Sequence, residues 1–197
     1  MNDAALTPER ILDAAEEVLR RFGPAKATVV DVARALGVSH GAVYRHFSSK
    51  AALRDAVVER WLARVSAPLA AVVEADGPAI PRLRRWFDLL MAAKRERVRG
   101  DPELFATYIA LAGGAREVVA AHVEDLVRQV AKIIADGVAR GEFAVADPVE
   151  AARALIDATG RFHNPAHAAA WTEPGIDAAF ERVWALVLRG LGGQAAG

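Results

Sequence analysis

The sequence predicts an all-α protein of about nine helices, with a small N-terminal three-helix domain (residues 1–52) and a larger helical domain (residues 53–197). Three observations predict it. Ala, Leu, Val, Arg and Glu, residues that favour or tolerate a helix, dominate the chain. No alternation of apolar and polar residues lasts long enough for a half-buried strand. Gly, Pro, Asn and Asp cluster at points that cut the chain into helix-sized pieces. With 53% hydrophobic and 25% charged residues, the 197-residue chain can build a sizeable core and does not have a disordered composition.

The elements follow in order. Thr7 caps a first helix, Pro8 takes its first position, and Gly23-Pro24 ends it. Its apolar face is Ile11, Ala15, Val18, Leu19 and Phe22. Thr28 and Asp31 have capping-box spacing and open a short helix that ends near Leu36. Gly37 makes the turn, Ser39 starts a third helix over 40–47, and Ser48 or Ser49 caps a fourth. Leu53, Val57, Trp61, Val65, Leu69 and Val72 form the stripe of that fourth helix, which stops at Asp76-Gly77-Pro78. Over residues 50–74 it would be about 37 Å long. Later punctuation leaves helices at 80–99, 102–111, 115–140, 148–163 and 176–190, with 164–175 as the longest loop.

Charge is balanced, with 25 basic and 25 acidic residues, so net charge does not advertise a polyanionic partner. Its distribution does. Residues 20–54 hold seven basic side chains (Arg20, Arg21, Lys26, Arg34, Arg45, Lys50 and Arg54) against one acid, Asp31. A local basic patch of this kind concentrates phosphate-bearing partners.

The composition also excludes. With no cysteine there are no disulfides, thiolate nucleophiles or cysteine zinc sites. The start lacks a signal-peptide pattern, and no run approaches the ~18 apolar residues of a membrane span, so a cytoplasmic protein without membrane contact is expected. No phosphate loop, dinucleotide fingerprint or nucleophile elbow occurs, so neither an enzyme nor a cofactor is expected. His163 and His167 are four apart, but Asn164-Pro165 breaks the helix that would align them, and no catalytic or metal site is predicted.

Residues 28–47 meet the physical needs of a helix-turn-helix. Ala33 is small where the two helices must touch, and Gly37 allows the positive φ of a tight turn. Val32, Leu36, Val38, Val43 and Phe47 are expected inward, anchoring the pair on the first helix. The second helix of the pair is then free to enter a major groove.

The run from Val32 to Ser39, followed by Val43 to Leu53 with its Tyr44-x-His46-Phe47 end and Lys50, resembles the TetR family signature, strongly over residues 10–60. That resemblance implies roles. Tyr44 and Lys50 contact phosphates, and Thr28 offers a hydroxyl and nearby amides to another. Ser39 begins the reading helix, and His40, Gly41, Ala42 and Arg45 face base edges, where Ala42 can touch a thymine methyl. His46 lies near the DNA backbone or packs beneath the helix. Arg45 and His40 are the principal candidates for direct readout. Gly41 and Ala42 lack donors, which gives DNA shape more weight.

A three-helix reader covers little duplex, so a two-fold homodimer on double-stranded operator DNA is expected. The resemblance implies a four-helix dimer interface from the last two long helices. Its candidates are Val149, Ala152, Leu155, Ile156 and Thr159 on one, and Ile176, Phe180, Val183, Trp184 and Val187 on the other. Both stripes fit an ordinary intrachain core equally well. Phe87, Met91, Phe105, Tyr108, His122, Phe162, His163 and Trp171 are candidate liners of a pocket for a small-molecule effector, and each also fits a core position. A ligand that prefers misplaced reading heads would release the DNA, with repression as the implied default. A DNA-binding structural or nucleoid-associated factor without an effector is the alternative.

Overall fold

Thr7, whose hydroxyl accepts from the Arg10 amide at 3.3 Å, caps α1 (Pro8–Lys26) in the computed structural model, which describes residues 5–192. The ends of the two domains expected from the sequence, 1–4 and 193–197, lie outside the described residues. Gly23, at φ 72°, breaks α1 where the sequence ends it, and one further turn follows to Lys26. Then come α2 (Val29–Leu36), α3 (His40–Tyr44), α4 (Lys50–Val73), α5 (Ala79–Gly100) and α6 (Pro102–Ala112). The rest are α7 (Arg116–Ala139), α8 (Pro148–Ala158), α9 (Gly160–His163), the 3-10 helix η1 (Pro165–Thr172) and α10 (Ile176–Gly190).

The all-α architecture stands, with two additions after residue 147. The helix expected over 148–163 breaks at Thr159. Its buried hydroxyl donates back to the Leu155 carbonyl at 2.7 Å, a bond that competes with the helix ladder. The expected loop over 164–175 is instead mostly η1, started by Asn164 accepting from the Ala166 amide and fastened by the Trp171 indole donating to the Arg161 carbonyl at 3.0 Å.

The described residues form two compact units. The first runs to Ala63 and adds Asp101–Ala121, so it is larger than residues 1–52. Its core joins Ile11, Ala15, Val18 and Leu19 of α1 to Val32, Ala33, Val43, Val57 and Trp61. Tyr108 of α6 stacks on Trp61 at 4.8 Å with an interplanar angle of 6°, and Leu111 of the same helix joins this core. Arg60 of α4 donates to Glu16 at 3.0 Å and to Asp13 at 2.8 Å, tying α4 to α1. Phe22 departs from expectation. At 43% exposed it lies on the rim, one turn past Leu19 beside the Gly23 break, with the Arg21 guanidinium 5.2 Å from its ring centre.

The second unit comprises Arg64–Gly100 and the residues from His122 onward. Leu83, Trp86, Phe87 and Leu90 of α5 pack with Val130, Ile133 and Ile134 of α7 and with Phe162, Phe180 and Trp184. The Trp86 indole donates to Gln129 at 3.0 Å, satisfying the one polar atom that its burial would otherwise orphan. Glu142 accepts from the amides of Ala79 and Ile80 at 2.7 and 3.1 Å, capping α5 from a distant loop. Arg82, itself buried, donates to the Val72 and Val73 carbonyls at the end of α4 and to Asp136 at 3.1 Å.

Candidate functional site

The reading pair is built by short-range bonds. Thr28 and Asp31 form both halves of the capping box, each amide donating to the other's side chain at 3.2 Å. The Thr28 hydroxyl also donates to Asp31 at 2.6 Å, which holds that carboxyl below its usual range. Thr28 is therefore exposed but committed: any phosphate it meets competes with Asp31 for the hydroxyl. Gly37 is left-handed at φ 68°, and its amide closes α2 on the Ala33 and Arg34 carbonyls. A residue with a Cβ is strained in that conformation by roughly 1–2 kcal/mol.

Ser39 accepts from the Ala42 amide at 3.2 Å and starts α3, which is shorter than the expected 40–47 because residues 45 and 46 continue as a turn and the chain bends at 47. Val43 is the anchor, at 1% exposed. His40, Gly41, Tyr44, Arg45, His46 and Lys50 all lie on the surface. The His40 and Tyr44 rings meet edge to face at 6.3 Å. Ser49, rather than Ser48, caps α4 through the Ala52 amide at 3.0 Å.

Two expectations change here. Ala42 is 7% exposed and faces the core beside Val43, so its methyl is not presented to a groove. His46 is exposed, so it does not pack beneath the helix.

Charge at this surface is more selective than the sequence count. Arg20 pairs with Asp101 at 3.8 Å, Arg34 with Asp31 at 3.2 Å and Arg54 with Asp55 at 2.7 Å. Two of those acids lie outside the basic window. Among the described residues Arg21, Lys26, Arg45 and Lys50 have no ion-pair partner, and these four carry the available positive field.

The candidate effector liners divide. Phe105 and Tyr108 belong to the first unit, in the cluster around Trp61. Phe87, Met91, Phe162, His163 and Trp171 are buried in the second, with His122 partly exposed. Phe87 and His163 have ring centres 6.2 Å apart. His163 Nε2 is 3.1 Å from the Thr159 hydroxyl, and His122 Nε2 is buried with no hydrogen-bond partner. Burial first, then the charge of Lys94, depresses both imidazoles, His122 to about 4 and His163 to about 3. Sequence reasoning missed Lys94, which is 9% exposed and pushed down to about 8 by burial and then by Arg97. A signal existed: Phe87, Met91 and Lys94 follow four- and three-residue steps, one helix face. An apolar groove of about 410 Å³ also lies in the first unit, lined by Val18, Leu19, Val29, Val32, Leu53 and Val57 among others, and no predicted liner borders it.

The dimer candidates divide too. Ala152, Leu155, Ile156, Thr159, Ile176, Phe180 and Trp184 are buried within the chain's own core. Val149, at 47% exposed, faces outward, and Val183 and Val187 are half-buried. Leu186 of α10 is 63% exposed. Among the described residues no single helix is long and apolar enough to cross a membrane, and no group of metal-ligating side chains occurs.

Residues 11–57 match the family model for bacterial regulatory proteins of the tetR family, and residues 79–184 match a tetracyclin repressor-like C-terminal domain. An uncharacterized HTH-type transcriptional regulator of Mycobacterium tuberculosis is 42% identical over 60 residues, 30% of each chain. The chain thus matches under a third of that relative's length. SmeT, the repressor of the Stenotrophomonas maltophilia multidrug efflux pump SmeDEF, shares the fold at TM-score 0.66 and 22% identity, over 94% of this chain and 90% of its own. So does the transcriptional regulator FadR from Bacillus subtilis, solved with stearoyl-CoA, at TM-score 0.63 and 16% identity, over 96% of this chain and 100% of its own.

Proposed function

The chain belongs to the TetR family of bacterial regulatory proteins, and from that membership we propose that it is a ligand-responsive repressor, binding a palindromic operator as a homodimer and released by a small molecule. The family consists of transcriptional regulators rather than enzymes. In this reading residues 1–52 recognise the operator, and residues 53–197 bind the effector and the second subunit.

The carrying observation is the outer face of α3 and the start of α4. His40 and Arg45 stand beside Tyr44 and Lys50, all exposed, with neither basic residue paired to an acid. Arg45 is the side chain suited to a bidentate contact with guanine, and His40 joins it at the base edges. Tyr44, Lys50 and His46 meet phosphates, and exposed Gly41 lets the backbone come close. The capping box leaves the amides of Val29 and Val30 for a further phosphate. Val149, Val183, Val187 and Leu186 give α8 and α10 an apolar outer face suited to an isologous contact. SmeT is a repressor and FadR was solved with a ligand, which supports repression and ligand response here.

Selecting bound fragments from genomic DNA with the purified protein tests the reading. A two-fold symmetric consensus is expected. Binding that is salt-sensitive but indifferent to sequence would instead favour a nucleoid-associated factor. Lys50→Ala is expected to weaken all sites evenly. It should also flatten the slope of log affinity against log salt by about 0.9 per subunit, one phosphate contact each. A change confined to particular base pairs would contradict the phosphate role.

A further inference from the structure

The second unit buries a cation that it does not neutralise. Lys94 follows Phe87 and Met91 on one face of α5, and all three are buried. Among the described residues no carboxylate pairs with Lys94, and the one charge acting on it is the like charge of Arg97. The nearest charges are unhelpful. Arg97 repels it, and Asp125, the acid that reaches His122, is held by Arg128 at 2.8 Å and Gln129 at 2.9 Å. Such an ammonium costs stability unless something else supplies an anion.

Two imidazoles feel this charge, His122 on α7 and His163 on α9. They differ in what they can offer. The Thr159 hydroxyl donates to the Leu155 carbonyl, so it accepts from His163 Nε2–H, and that ring is fixed as a wall beside Phe87. His122 Nε2 is buried and unpartnered, free to donate. Both imidazoles are neutral near pH 7, so the cluster carries one positive charge. A monoanion cancels it; a phosphate dianion would leave a negative charge among apolar side chains.

Resting on the reading of this unit as an effector domain, we propose that the effector is an organic acid. Its carboxylate pairs with Lys94 and accepts from His122 Nε2, while its apolar body lies against Phe87, Met91 and Phe162. Lys94 then trades stability of the empty protein for recognition of charge.

The test uses the full chain and two matched pairs of probes, octanoate against octan-1-ol and 4-phenylbutyrate against 4-phenylbutan-1-ol, with binding read by calorimetry. At least one acid is expected to bind roughly tenfold or more tighter than its alcohol. Lys94→Met should abolish that preference while leaving alcohol binding intact, and should raise the melting temperature of the ligand-free protein by about 2–5 °C. Equal binding of acid and alcohol, binding of neither acid, or a preference that survives in Lys94→Met overturns the proposal. A lower melting temperature in Lys94→Met would overturn the claim that the ammonium is uncompensated. Operator binding measured on the same samples separates the two readings. An alcohol that alone binds and releases DNA refutes the anion and keeps the effector domain. An acid that binds through Lys94 without releasing DNA does the reverse.

Discussion

Arg45→Ala is expected to weaken operator binding more than any other single surface substitution, while leaving the melting temperature within a degree or two. The side chain is exposed and has no ion pair to lose among the described residues, so folding is indifferent to it. A bidentate contact with a base is worth about 1–3 kcal/mol. A symmetric dimer loses it twice, so the cost is about 2–6 kcal/mol, roughly 30-fold to above 10,000-fold in affinity. The loss should be concentrated at one base position in each half-site, because non-specific binding rests on phosphates. Titrating labelled operator and its point variants with wild-type and variant protein measures both quantities. Uniform weakening across all variants would make Arg45 a phosphate contact.

Gly137→Ala is expected to lower stability by about 3 kcal/mol, against the sign that helix propensity gives. At an exposed helical position the same change would stabilise by ~1 kcal/mol. Gly137 is buried in α7, and an added Cβ would strike the Phe143 ring, with Cε2 at 2.6 Å, and the Ala79 Cβ at 2.8 Å. Neither neighbour can retreat. Phe143 is buried, and Ala79 is fully buried at the start of α5, where Glu142 holds its amide. For a chain of this size the melting temperature should fall by roughly 6–12 °C. A rise would show that α5 and α7 are not so close. The variant that remains folded should still bind DNA, since the change lies far along the chain from α3.

What was legible in the sequence was local. The Thr28–Asp31 box, the left-handed Gly37 and the Ser39 cap are each decided within four residues, so residue type and spacing suffice. Long stripes were legible as buried faces, because the 3.6 period repeats over many turns, as from Leu53 to Val72 on α4. Two things were not. In a five-residue helix the period cannot settle a face, so the outward role of Ala42 rests on the family resemblance alone, and the structure instead buries it beside Val43. Periodicity also reports burial without its partner. Phe180 and Trp184 therefore fit an interface and an intrachain core alike, and Tyr108 fits a pocket wall and a core alike; the structure packs the first two in their own chain's core and stacks the third on Trp61. Lys94 was hidden differently. Its neighbours Arg95, Arg97 and Arg99 make the segment look like a solvated face, and only its register with Phe87 and Met91 betrays it.

The central claim is that α3 enters a duplex groove, and the absence of cysteine from the chain makes it directly measurable. An iron chelate attached at His40→Cys would cut DNA only where that position lies. Two clusters of cuts, symmetric about the operator centre and about one helical turn or somewhat more apart, are predicted. The same chelate at Glu124→Cys on α7 should give none. Cuts from Glu124→Cys in place of His40→Cys, or no cleavage from His40→Cys on a duplex that the protein demonstrably binds, would contradict the account.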